Sequence, residues 1–278
     1  MIAVLPTLLT LGNAVCGFGA ITFAAHWMGW PPAASLFAAS CLIFLAMLFD
    51  AVDGSTARWA NRTSEFGAQL DSLCDAISFG AAPAVLMLQC SLSYGYHPRL
   101  LWLIAALYVV CTVLRLARFN VETDEDNPHK FFSGLPSPAA AGTVASVPMM
   151  VFGLQQLEFT EGGLLRGEGI GVWFASAAGG ILPVITFAVA CLMVSRVRYS
   201  HLVQHLVGGR RNGQHLIRLV FAVAVIFVVP QISVPLLFCW YAFAPPLRAL
   251  WFKRIAKVVS NRRNRIASMS VTDALHGR

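Results

Sequence analysis

Charge is what this sequence has least of. Only 12% of its 278 residues are Asp, Glu, Lys or Arg, and just 13 are acidic, against about 25% charged in a typical soluble domain. Hydrophobic residues make up 57%, and the mean hydropathy is +0.68. Too little polar surface is left to cover a water-soluble globule. This excludes an ordinary cytosolic enzyme, a disordered chain and a nucleic-acid-binding domain. The net charge of +7 therefore reads as loop charge facing anionic lipid headgroups, with no nucleic acid partner. Cysteine pairs are missing too. Cys16, Cys41, Cys74, Cys90, Cys111, Cys191 and Cys239 include no CxxC and fall mostly in apolar runs, as small core hydrophobes do. No basic segment precedes the first apolar run, so no cleavable signal peptide is expected. Internal repeats and low-complexity stretches are also lacking.

What the sequence has is apolar length. A membrane-spanning helix needs about 20 mostly apolar residues, and lipid favours helices because they satisfy their own backbone groups. Eight runs qualify: about 5–27, 33–57, 67–90, 98–119, 138–156, 171–195, 215–230 and 232–250. The last two are parted only by Pro230, Gln231 and Ser233 and form a tight hairpin. The expected fold is all-α, a polytopic integral membrane helical bundle of about eight transmembrane helices. Gly17-Phe18-Gly19-Ala20 and Ala177-Ala178-Gly179-Gly180 suit close helix packing. With an even number of spans both termini share one side, and 18 of the 20 Lys and Arg fall there, leaving Arg99 and Arg166 opposite. The positive-inside rule puts that side, and both termini, in the cytoplasm. The organisation expected is a membrane domain over 1–200, two additional transmembrane helices over 201–252 and a basic cytoplasmic tail over 253–278.

Four of the scarce acids lie in or beside two apolar runs. Asp50 and Asp53 are i,i+3, with Gly54, Ala57 and Arg58 following on the second predicted helix; Gly67, Asp71 and Asp75 are i,i+4,i+8 on the third. The short turn over roughly 59–65 makes these helices antiparallel neighbours, so the two acidic stripes can face each other. A carboxylate in a bilayer costs about 2.5 kcal/mol or more, and four together repel unless cations neutralise them. Oxygen donors with no nearby His or Cys cluster select a hard cation, Mg²⁺, Mn²⁺ or Ca²⁺. Four carboxylates fit a two-metal site that clamps a phosphoryl group. Gly54, Ala57 and Gly67 remove bulk beside the acids, and Arg58 at the rim can meet a phosphate. The plainer alternative is a set of salt bridges or an ion path. His201 and His205 are i,i+4 but lie among Arg196, Arg198, Arg210 and Arg211, as in a basic interfacial loop.

The spacing Asp-x2-Asp-Gly-x2-Ala-Arg-x8-Gly-x3-Asp-x3-Asp over residues 50–75 resembles the motif of the CDP-alcohol phosphotransferases at every fixed position. Leu8 to Asn13, Ser64 to Ser72, Arg115 to Asn120 and Gly134 to Ala140 resemble the phosphatidylserine synthase branch, and the likeness covers about residues 5–200. The resemblance implies a six-helix catalytic core, usually a homodimer, and the displacement of CMP from a CDP-linked lipid by an alcohol. It implies that Asp50, Asp53, Asp71 and Asp75 hold two divalent cations, Mg²⁺ or Mn²⁺, and that Asp75 is also the catalytic base. It places Gly54, Ala57, Arg58 and Gly67 at the CDP-lipid site. The chain departs from the family at Thr7, where Asn is common, and in the near-absence of a segment before the first helix.

The substrates expected are CDP-diacylglycerol and L-serine, at the cytoplasmic face of the cell's inner membrane. Serine carries a carboxylate, so its pocket calls for a cation. Arg115 and Arg118, i,i+3 near the end of the fourth helix, are candidates for the serine carboxylate or the lipid phosphate, with Asn120 nearby; both arginines also suit ordinary membrane-edge anchors. Ser133 and Ser137 are candidate pocket walls or parts of a helix-entry turn. Two alternatives stay open: the same chemistry with glycerol phosphate or inositol phosphate as acceptor, and a divalent-metal transporter.

Overall fold

The computed structural model describes residues 4–27, 29–60, 65–123, 134–159, 170–195, 197, 199, 229–230 and 232–248. The described residues contain helices and no strands. The helices are α1 (Val4–Ala24), α2 (Pro32–Ala60), α3 (Glu65–Asp75), α4 (Ala82–Ser91), α5 (Pro98–Thr123), α6 (Ser137–Phe159) and α7 (Ile170–Val194). Residues 232–248 form a further helix, α8. The compact unit Met1–Ala242 holds all of these except the end of α8, which belongs to a second unit, Phe243–Arg278.

Local chemistry sets the turns. His26 sits in the left-handed region with φ 58°, a conformation in which His is among the enriched residues. Its N–H donates to Phe23 O at 2.9 Å, and the Trp27 N–H donates to Thr22 O at 3.2 Å, which is a Schellman closure of α1. Pro32 then opens α2 at the one helix position where its missing N–H costs nothing. Gly95, φ 75°, ends the third span before Pro98 opens α5. Gly134 has φ 101°, and a side-chain carbon there would overlap the Met193 carbonyl. Glycine is required at this point on both counts. Its N–H donates to Val197 O at 2.8 Å, tying the entry of α6 to the segment after α7.

Among the described residues, six helices are long and apolar enough to cross a membrane: Thr7–Ala24, Pro32–Gly54, Phe66–Tyr94, Pro98–Val121, Ser137–Gln156 and Ser176–Val194. The protein is an integral membrane protein. Six of the eight expected spans are therefore found. The seventh, 215–230, lies almost wholly outside the described residues, as do His201, His205, Ser133 and the tail from 253. Residues 232–248 are helical as expected, and the last two residues of that expected span, 249 and 250, lie outside the described residues.

The interior is mainly apolar, with many small residues at the helix contacts, and large apolar side chains also cover the exterior. Phe18, Trp102 and Trp240 are each at least 65% exposed, as suits side chains facing lipid tails. Inside, Cys16, Ala20 and Ala24 of α1 meet Ala39, Ile43 and Ala46 of α2, and Ala141 and Ala145 of α6 complete the seam. Small residues let backbones approach where lipid supplies no hydrophobic drive. Gly17 shows the limit: an added Cβ would lie 2.7 Å from Ser78 Cα.

The third span is not one regular helix. Between α3 and α4, Ala76–Ala81 form a π-helical turn that begins directly after Asp75. Such turns insert a residue into the helical repeat and concentrate at functional sites. This one is held from outside: Ser78 Oγ donates to Asn13 O at 2.9 Å, and Tyr108 Oη donates to Phe79 O at 3.1 Å. The Gly67–Asp71–Asp75 stripe thus ends where the regular helix ends.

Candidate active site

Antiparallel neighbours bring alternate helix ends to one face of the bundle. The start of α1, the end of α2, the start of α3, the end of α5 and the start of α6 meet there. Three of the predicted acids converge: Asp50 of α2 and Asp71 and Asp75 of α3 each offer a carboxylate oxygen within 4.8 Å of the other two. Asp53 lies outside this group of three. It is buried, accepts a hydrogen bond from Thr10 Oγ1 through Oδ2, and has no hydrogen-bond partner for Oδ1.

The first helix contributes two residues to which no role was assigned from the sequence. Thr10 meets Asp53, and Asn13, fully buried, donates from Nδ2 to Asp75 Oδ1 at 2.9 Å. They are i,i+3, so one face of α1 bonds to an acid of α2 and to an acid of α3. The signal was present: a threonine and an asparagine one turn apart in an apolar run. Asn13 Oδ1 is also buried with no hydrogen-bond partner. The donor set is all oxygen and mostly anionic, with two buried acceptor oxygens left over. That fits a hard divalent cation.

The cationic side of the site is Arg115. Part-buried near the end of α5, it donates from Nη1 to Ser137 Oγ at 2.5 Å, and Ser137 is the first, fully buried residue of α6. Its guanidinium is close enough to Asp50 and Asp75 to interact electrostatically with both. Ser137 is thus joined to the predicted arginine. Arg118 lies three residues on and is exposed. Asn120 exchanges hydrogen bonds of 3.0 and 3.1 Å with Ser72 Oγ. That tie fixes α3, one residue past Asp71, against α5.

The small residues fall where the sequence put them. Gly54 follows Asp53 and is exposed, and an added Cβ would meet nothing within 4 Å. Among the described residues, no side-chain bulk stands beside Asp53 at this position. Gly67 is half-buried at the start of α3, and Ala57 and Arg58 lie in the last turns of α2, their side chains outside the described residues.

An acidic cluster bonded to a polar group of a neighbouring helix, with the Arg115 guanidinium on the α5 side, has the donors for a divalent cation. The model of the CDP-alcohol phosphatidyltransferase family matches residues 3–179, which includes every residue of this cluster. The chain belongs to the CDP-alcohol phosphatidyltransferase family. Relatives within the family carry more specific names. The chain is 34% identical over 174 residues to a CDP-diacylglycerol–serine O-phosphatidyltransferase of Mycobacterium tuberculosis, covering 61% of this chain and 56% of that one. It is 42% identical over 144 residues to an archaetidylserine synthase of Methanothermobacter thermautotrophicus, covering 51% and 56%. A CDP-diacylglycerol–serine O-phosphatidyltransferase of Bacillus subtilis is 29% identical over 210 residues, covering 76% and 97%. The chain spans little more than half the length of the first two relatives.

Proposed function

We propose that this protein transfers the phosphatidyl group of CDP-diacylglycerol to the hydroxyl of L-serine, giving phosphatidylserine and CMP. The observation that carries the proposal is the cluster of Asp50, Asp71 and Asp75 with Asn13 bonded to Asp75. The names of the relatives, two of them serine phosphatidyltransferases, supply the acceptor.

Asp50, Asp53, Asp71 and Asp75 would hold two divalent cations, Mg²⁺ or Mn²⁺, which supply charge neutralisation to the diphosphate and to departing CMP. The orphaned Oδ1 of Asp53 supports its inclusion beside the group of three. Asn13 holds Asp75 by Oδ1, which leaves Oδ2 to take the proton of the serine hydroxyl. The serine oxygen then forms its bond to the lipid-side phosphorus. The bond from that phosphorus to the CMP oxygen breaks, and CMP leaves with the electron pair. Gly54, Ala57, Arg58 and Gly67 line the CDP-lipid end, where an exposed Gly54 supports close approach of the ligand to backbone. Arg115, fixed by Ser137, meets the serine carboxylate; Arg118 serves the lipid phosphate, and Asn120 keeps α3 in register.

The orientation proposed puts this face and both termini in the cytoplasm of a cell with the protein in its inner membrane, as the 18-to-2 division of Lys and Arg supports. We further propose a homodimer, and the membrane domain, helical extension and basic tail at 1–200, 201–252 and 253–278. Asp75→Asn tests the chemistry. Purified variant protein should fold and insert as wild type does yet lose release of CMP from CDP-diacylglycerol by at least about 10³-fold, within the range of a general base. Retained activity would remove the role of Asp75.

A further inference from the structure

Helix α8 lies beyond residue 179, where the family match ends, yet its contacts lead to the arginine of the site. Phe238 covers Gly142 of α6, where any side-chain carbon would overlap its ring. Its carbonyl accepts from Thr143 Oγ1 at 3.4 Å, and its ring lies 5.6 Å from that of Phe44 on α2. Gly142 and Thr143 stand less than two turns from Ser137, the partner of Arg115. Tyr241 follows Phe238 by three residues, so one helical turn carries it along the same face. It is half-buried and close enough to Arg115 to interact electrostatically. Tyr199 pins it there: the two rings are 5.9 Å apart, and Tyr199 Oη donates to Ala242 O at 2.8 Å.

We propose that Tyr241 is a specificity-determining residue of the acceptor subsite, its hydroxyl donating to the carboxylate that Arg115 binds. The inference rests on the assignment of Arg115 to the serine carboxylate. A guanidinium offers five donors, and Ser137 engages one nitrogen, so the planar fork keeps donors for a ligand. The tyrosine hydroxyl adds a neutral donor. Arg115, with the hydroxyls of Ser137 and Tyr241, matches a singly charged carboxylate, Arg58 and Arg118 being assigned to the CDP-lipid; a phosphate-bearing alcohol would call for cations beyond these. The acceptor class is then a hydroxylated amino acid. Sequence outside the family's shared region takes part in selecting it.

Tyr241→Phe keeps the ring against Tyr199 and removes only the hydroxyl. With purified protein and CDP-diacylglycerol, it should raise the KM for L-serine about tenfold, the loss of one hydrogen bond to a charged group, with the KM for CDP-diacylglycerol changed less than about twofold. Trp240→Ala, on the exposed side of the same helix, should change neither. In an Arg115→Ala background, Tyr241→Phe should add less than about twofold, because the two residues act on one group. Multiplicative effects in that double variant, or an unchanged serine KM in Tyr241→Phe while Arg115→Ala raises it, would overturn the role of Tyr241 alone. An unchanged serine KM in Arg115→Ala would overturn the underlying assignment.

Discussion

Replacing Asp71 by asparagine should make the metal-free protein more stable and at the same time much less sensitive to divalent cations. Asp71 has oxygens within 4.8 Å of both Asp50 and Asp75. Two unit charges at that distance repel by about 3.5 kcal/mol at an effective dielectric constant of about 20. With all three ionised, Asp71→Asn removes two of the three pairs, an upper bound of about 7 kcal/mol before relaxation and protonation. Arg115 acts on Asp50 and Asp75, so the substitution removes repulsion and leaves those attractions in place. Solvent screening and movement of the acids reduce the net gain to on the order of 1–2 kcal/mol, or about 2–6 °C in Tm for a chain of this size. The assay is thermal unfolding of detergent-purified protein in EDTA and across a Mg²⁺ or Mn²⁺ titration. Wild type should gain about 2.7 kcal/mol at a cation concentration a hundredfold above Kd, and Asp71→Asn should lose most of that gain. A variant that melts below wild type in EDTA, or that keeps the full cation-induced shift, would refute the reasoning.

Three further outcomes follow from single contacts. Asn13→Ala leaves Asp75 Oδ1 without its donor in a buried site and should cost about 1–3 kcal/mol of stability, with kcat lowered more than either KM in steady-state assays. Arg115→Ala should raise the KM for L-serine by at least about tenfold, the value of a charge-assisted hydrogen bond, with CDP-diacylglycerol binding intact by titration. Gly17→Ala forces a methyl against the backbone of Ser78; overpacking of this kind costs about 1–3 kcal/mol, read as a lower Tm, and it disturbs the π turn that follows Asp75.

The acidic stripes were legible because helical spacing is a local property. Asp50, Asp71 and Asp75 could be paired across a short turn from the sequence alone, and Gly54 could be read as clearance beside them. Arg115 and Ser137 were visible one at a time, but their bond joins residues 22 apart through the packing of α5 on α6. Thr10 and Asn13 were hidden by their context, since single polar residues in an apolar helix read equally well as internal packing. The π turn left no mark either: Ala76–Ala81 has ordinary helix-compatible residues, and its register shift is set by Ser78 and Tyr108 reaching across to other helices. The place of Tyr241 depends on the chain returning to α6 after some hundred residues, a distance over which periodicity says nothing.

The most direct test of the central claim uses purified wild-type protein with CDP-diacylglycerol, Mg²⁺ or Mn²⁺, and each of L-serine, glycerol phosphate and inositol phosphate in turn, following CMP release and the lipid formed. The account predicts CMP release and phosphatidylserine with L-serine, abolished by EDTA. CMP release with a phosphorylated alcohol in place of serine would contradict the acceptor, and metal uptake into proteoliposomes with no CMP release from any of the three would contradict the chemistry itself.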